Sequence, residues 1–234
     1  MEDDYPCVVD GAPASIGVNL RFEHAPPATH DTRYTLAILM RDGGDRGIGT
    51  EAEAAALDLV EEALMPRAYA LGLTYVGRLR TRGVWEVTFY GPRNHLTTLR
   101  AHATELAGDR QIAAIMNPEA AWTYYRELLL PDAERRQWLD NRRIVQQLAE
   151  QGDPLSTPRR VEHRLALPAD TRAQFVALAI AAGFTVDADE RIVRAHRRDT
   201  VELEHIHAVV MSLVAAAAPL GGRYESWESG IIGA

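Results

Sequence analysis

The sequence predicts an α+β protein of two tandem ferredoxin-like domains. Each is a β-α-β-β-α-β unit with an antiparallel sheet, and a helical connector joins them. Three observations predict this. The 234 residues exceed one small domain and fall short of three. Apolar residues make up 47% of the chain, enough for proper cores rather than disorder. Strand-like and helix-like apolar patterns also follow one another in the same order twice, with no sequence repeat between the halves.

In the first half, Tyr34 to Met40 is a β-rich apolar run followed by the turn-forming stretch Asp42 to Gly49. Thr50 caps a helix, with Glu53 completing a capping box and Leu57, Val60, Leu64 and Ala68 at helical spacing. Pro66 is expected to kink or end it. Leu73–Leu79 and Val84–Tyr90 read as strands joined at Arg80-Thr81-Arg82-Gly83, a hairpin turn. A helix over 96–106 and a strand over 111–116 complete the unit, and a further strand near 15–22 is placed at an edge.

The connector follows. Asp132 caps a helix running to Glu150, with Trp138, Val145 and Leu148 on one stripe. Gly152-Asp153-Pro154 stops it, and Ser156-Thr157-Pro158 is a polar linker. The expected boundaries are therefore 1–131, 132–158 for the connector, and 159–234.

The second half starts with a strand over 161–167 and a helix over 170–182 whose Phe175 and Leu178 face a core. Gly183 closes that helix. Strands at 184–186 and 192–196 flank the turn Asp187-Ala188-Asp189-Glu190. Thr200 opens a long helix with Leu203, Ile206, Val210, Leu213 and Ala217 on one stripe, and Glu202 and Glu204 suit its positive end. Gly221-Gly222 ends it before a last strand over 223–232.

Composition narrows the chemistry. Net charge is −8, which argues against direct binding of nucleic acid through phosphate neutralisation. All 25 basic residues are arginine, so neither a P-loop lysine nor Schiff-base catalysis is available. The single cysteine, Cys7, cannot make an internal disulfide, and it sits in an N-terminal segment expected to be mobile. The acidic start is unlike a secretory signal. The longest apolar stretch, 208–220, falls short of the roughly 20 residues that span a bilayer. The expectation is a cytoplasmic protein with no membrane association and no cofactor.

Gly221-Gly222-Arg223-Tyr224-Glu225-Ser226-Trp227-Glu228, after a long helix, resembles the C-terminal signature of the family called regulator of ribonuclease E activity B (RraB). That family ends on a Gly-Gly turn and Tyr-Asp-Gly-Trp, so this chain departs from it at Glu225 and Ser226. The stretch from Trp122 to His163 resembles the family of unknown function DUF695. Trp122, Tyr125, Pro131, Asn141-Arg142-Arg143, Gly152-Asp153, Pro158-Arg159 and Val161-Glu162-His163 carry this second resemblance, with Tyr75-Val76-Gly77-Arg78 and Phe89-Tyr90 upstream. The first resemblance implies a ferredoxin-like C-terminal domain with a non-catalytic, protein-binding role, its partner a ribonuclease E-type endoribonuclease whose RNA cleavage it lowers.

The candidate partner-binding residues are Tyr224, Glu225, Trp227, Arg194, His196 and Arg198. Tyr224 and Trp227 are three apart on a strand, so they are expected on opposite faces, one in the core and the other beside Arg223 or Glu225 as an interface anchor. Arg194, His196 and Arg198 alternate on one strand face, with Arg197 beside them. They read either as a basic stripe for an acidic protein segment or phosphates, or as a solvated face balanced by Glu202 and Glu204. His205 and His207, two apart on a helix, diverge too far to share a metal. The glycine-rich stretch 43–49 lacks phosphate-loop spacing and reads as a flexible loop. No nucleophile-base constellation stands out.

A regulatory binding protein therefore leads. An RNA-binding module of the same topology is the alternative, though Ile192, Val193, Arg194 and Ala195 offer no aromatic for stacking. A hydrolase would need a pocket of perturbed titratable groups. An exposed sheet edge also offers a route to homo-oligomers.

Overall fold

The computed structural model describes residues 2–189 and 191–233. The chain divides into two compact units, 1–135 and 136–234.

The first unit opens on strands β1 (Glu2–Val9) and β2 (Ala12–Asn19), then β3 (Thr32–Leu39), helix α1 (Glu51–Ala70), β4 (Thr74–Thr81), β5 (Val84–Gly91), α2 (Leu96–Ala107) and β6 (Ile112–Pro118). Its six-stranded sheet has the order β1-β2-β4-β5-β3-β6, antiparallel throughout. Strands β3 to β6 with the two helices make the expected ferredoxin-like unit, and the β1–β2 hairpin extends it beyond β4. The expected extra strand is thus interior, and the segment expected to be mobile is the edge strand β1, with Cys7 half-buried in it. Tyr5 explains the ordering: it is 1% exposed and its hydroxyl donates to the Leu129 carbonyl at 2.7 Å.

Tyr34, Leu36, Ile38, Trp85, Val87 and Phe89 line the helix side of this sheet and pack with Leu57, Leu64, Ala68, Leu99 and Ala103. Helix α1 runs through Pro66 to Ala70, because Leu64 and Ala68 lock both sides of the proline into that core. Thr50 caps it by accepting from the Glu53 amide (3.3 Å). The Glu53 carboxylate does not return to the cap. It accepts instead from the Arg41 amide and the Arg110 guanidinium. On the sheet's other face Trp122 stacks on Tyr90 (4.1 Å between centroids), meets Tyr125 edge-on and donates to the His30 carbonyl. The 43–49 loop is docked rather than flexible. Gly83 donates to the Gly47 carbonyl (2.8 Å), and a Cβ on Gly47 would lie 3.2 Å from Arg82 Cα.

The second unit comprises α3 (Ala133–Glu150, shared at its first turn with the first unit), β7 (Arg159–Ala166), α4 (Arg172–Ala181), β8 (Thr185–Ala188), β9 (Ile192–Asp199), α5 (Leu203–Ala217) and β10 (Arg223–Ser229). The sheet order β10-β7-β9-β8, all antiparallel, is again ferredoxin-like. Asp132 caps α3 through the Arg135 amide (2.9 Å). Leu139, Asn141, Val145 and Leu148 form the buried stripe of α3, while Trp138 is only half-buried. On α4 the inward pair is Phe175 and Ala179, four apart, and Leu178 is 47% exposed. Asp187 and Ala188, expected in a turn, end β8, and Glu190 lies outside the described residues.

The helical stretch 203–220 is long and apolar enough, by length and composition, to cross a membrane. It is longer than the apolar run 208–220 suggested, because Leu203 and Ile206 extend it. Ile206, Val209, Val210, Leu213 and Ala217 nonetheless pack into the cores beneath the sheet.

Candidate functional site

The C-terminal sheet has two chemically distinct faces. Val161, His163 and Leu165 of β7 and Val193 and Ala195 of β9 point to the helices and are buried. The alternate residues Arg160, Glu162 and Arg164, with Arg194, His196 and Arg198, point the other way. The helices cover one face only and leave the charged residues on the other.

Strand β10 breaks this alternation. Tyr224 pairs with Leu165, but Ser226 pairs with Arg164 and Trp227 with His163, so the chain bulges at Glu225. A bulge inserts one residue and resets which side chains point inward. Tyr224 and Trp227 therefore share the core face rather than lying on opposite faces. Trp227 is 3% exposed and its Nε1 donates to Asn141 Oδ1 at 2.9 Å. The Tyr224 hydroxyl lies 2.8 Å from His163 Nδ1, and burial pushes its pKa up. Neither ring is presented to a partner. Glu225 stays at the surface, paired with Arg223 (3.0 Å).

The basic stripe is present but held. Arg194 pairs with Asp189 (2.9 Å) and lies 3.8 Å from Glu162. His196 Nδ1 is 3.8 Å from Asp187. Arg198 donates to the Pro158 carbonyl (2.8 Å). The balancing carboxylates come from β7, β8 and the following turn, not from Glu202 and Glu204. Backbone amides of Arg191 and Ile192, and then Arg194, hold the Asp189 carboxyl down at about 2. Arg197 belongs to the opposite face, where it lies over Phe184 (4.3 Å) and pairs with Asp199 (2.6 Å).

Sequence reasoning missed the buried polar residues that hold this domain. Asp153 is fully buried against Arg159 and accepts from the amides of Leu155 and Ile232 (2.8 Å each). Asn141 bridges Trp227 and His207, its Nδ2 lying 3.0 Å from His207 Nδ1. His205 turns instead to Asp199 (2.9 Å), so the two histidines part. Asn141, Asp153, Arg159 and His163 were already visible as residues carrying a family resemblance, which was the only signal for them. Among the described residues no group of three or more His, Cys, Asp or Glu side chains is placed to hold a metal ion.

No curated protein matches the chain. A solved structure described as "Crystal structure of putative glycine cleavage system transcriptional repressor" is similar at 10% identity over 85% of this chain and 98% of that one, with a TM-score of 0.22. The model of Regulator of ribonuclease activity B matches residues 138–229. The expected DUF695 stretch from Asn141 to His163 thus falls within the RraB match instead, in keeping with its packing against Trp227 and Tyr224. The model of the family of unknown function DUF695 matches residues 3–130, more than half of the 234, so the chain belongs to that family and carries an RraB match behind it.

Proposed function

We propose that this protein is a non-catalytic regulator that binds an endoribonuclease of the ribonuclease E type and lowers RNA processing or decay. The observation that carries the proposal is the match to Regulator of ribonuclease activity B over 138–229, which coincides with a complete ferredoxin-like module. That module leaves one sheet face uncovered by its helices and fills it with charged side chains, several of them arginine, a residue type enriched at protein interfaces. The regulator would act in the cytosol, where its partner's RNA substrates lie.

Two features favour binding over chemistry. The buried titratable groups of this domain are consumed in its packing: His163 meets Tyr224, and Asp153 meets Arg159. In the N-terminal unit, burial raises the pKa of the Cys7 thiol, the reverse of what activates a nucleophile. Direct RNA binding has less support. The outward positions of β7 and β9 hold no phenylalanine, tyrosine or tryptophan on which a base could stack.

The test is capture of interacting proteins on the full chain from native-host lysate, with and without nuclease, followed by an RNA cleavage assay with the captured enzyme. A ribonuclease E-type enzyme that stays bound after nuclease, and whose cleavage slows when the purified chain is added, is the expected result. Capture that disappears with nuclease would replace this proposal with RNA binding.

A further inference from the structure

Arg160 of β7 and Arg198 of β9 are register partners, directly opposite across the antiparallel pair on the face away from the helices. Both are exposed, Arg160 with 61% of its side chain in solvent. Like charges directly opposite in a sheet are destabilising. Neighbouring carboxylates do little to offset the pair. Glu162 is shared among Arg160 (3.4 Å), Arg164 (3.5 Å) and Arg194 (3.8 Å). Arg164 has Glu228 besides, and Arg194 has Asp189. Arg198 makes no ion pair among the described residues, and its guanidinium donates to the neutral Pro158 carbonyl. A depression of about 360 Å³ opens beside Arg160, lined also by Glu162, Glu228, Ser229 and Gly230. On a chain of net charge −8, Arg198 is thus an exposed cation with no carboxylate partner among the described residues, directly opposite a second arginine.

We propose that the Arg160–Arg198 pair is the docking point for carboxylates of an acidic segment of the protein partner. This deepens the regulator proposal and rests on it. Guanidinium groups match carboxylate oxygens through paired, charge-assisted hydrogen bonds, and a carboxylate bound at these two opposed arginines would offset the repulsion between them. An RNA strand fits less well. The outward positions of β7 and β9 give its bases no phenylalanine, tyrosine or tryptophan to stack on.

The experiment uses the isotope-labelled full chain, with poly-L-glutamate and an oligouridylate of matched charge as probes, followed by backbone amide NMR. Poly-L-glutamate shifts the amides of Arg160 and Arg198, and the R160A/R198A double variant binds it at least about tenfold more weakly, a readable difference in affinity. Both side chains are exposed, so the variant keeps the amide spectrum of the remaining sheet. The same variant also loses the ribonuclease captured by the unaltered chain. Poly-L-glutamate binding that is absent, or unchanged in the double variant, overturns the site, as does preferential shifting of these amides by oligouridylate. Ribonuclease capture undiminished by the double variant also overturns the site while the regulator proposal stands. Loss of ribonuclease capture from the unaltered chain, with poly-L-glutamate still bound at these arginines, removes the regulator proposal and leaves the site.

Discussion

Trp227 on the last strand and Asn141 on the first helix of the C-terminal unit are joined by an indole-to-amide hydrogen bond of 2.9 Å between residues 86 apart in sequence. The same amide reaches His207 through its nitrogen, so one side chain ties β10, α3 and α5 together. Trp227 packs among Val145, Leu148, Val161, Ile206 and Val210. The signature tryptophan is therefore a keystone of the core, not a contact residue. Trp227→Ala is expected to destabilise this unit by about 3–5 kcal/mol, as large aromatic truncations do. Trp227→Phe keeps most of the packing but removes one of two donors to the Asn141 oxygen, which retains the Gln137 amide (3.2 Å), at a cost of about 0.5–1.5 kcal/mol. Urea unfolding followed by circular dichroism measures both. The Phe variant should keep partner binding wherever the domain is folded.

Much of the fold was legible because its signals are local. Thr50, Asp132 and Gly183 mark helix ends, and Arg82-Gly83 marks a hairpin, whichever way the chain later packs. The candidate site was less legible because its geometry is set at a distance. The bulge at Glu225 depends on pairing with β7 and leaves no trace in the 223–229 alternation, so it moved Tyr224 and Trp227 onto one face unannounced. The stripe at Arg194, His196 and Arg198 was visible, but its balancing Asp189 and Glu162 become neighbours only through the turn and the β7–β9 register. Leu178 and Ala179 show the same limit: both fit a helical pattern, and only the tertiary contact chooses Ala179.

His163 gives the C-terminal unit a pH-dependent stability. It is fully buried, its Nε2 has no hydrogen-bond partner, and its ring meets Phe184 edge-on. Burial, the largest cause, lowers its pKa from 6.5 to about 4, with Asp199 opposing and Arg197 adding to the fall. The unfolded chain therefore binds the proton more readily, and stability falls as pH drops from about 6.5 towards 4. At roughly 1.4 kcal/mol per pKa unit, the loss approaches 3 kcal/mol. Urea midpoints measured from pH 7 to pH 4 should follow this slope. His163→Phe should flatten it, and a slope that persists in that variant would assign the effect to other groups.

Asp153 and Arg159 form a buried ion pair that pins the linker to the end of the chain. Arg159 lowers the Asp153 carboxyl far below the ordinary carboxylate range, and the amides of Ile232 and Leu155 lower it further. Removing one member of such a pair leaves an uncompensated buried charge, so Arg159→Met is expected to cost about 3–5 kcal/mol. Adding Asp153→Asn to that variant should recover part of the loss, since no charge then remains buried. A double-mutant cycle in urea tests this, and strictly additive losses would contradict it.

Arg198 offers the opposite case, a residue whose removal stabilises the fold. It faces Arg160 directly, and without a bound anion that pair raises the energy of the β7–β9 ladder. Arg198→Thr takes away the repulsion and supplies a β-branched residue suited to a strand. The expected gain is about 0.2–1 kcal/mol, read as a higher urea midpoint at unchanged slope. Added salt screens exposed charges, so the unaltered chain should gain stability between low and moderate ionic strength while the variant gains less. If the variant is no more stable, or responds to salt as the unaltered chain does, the two guanidinium groups do not repel. If carboxylates of the partner dock at this pair, the stability gain and the loss of partner binding should appear in the same variant.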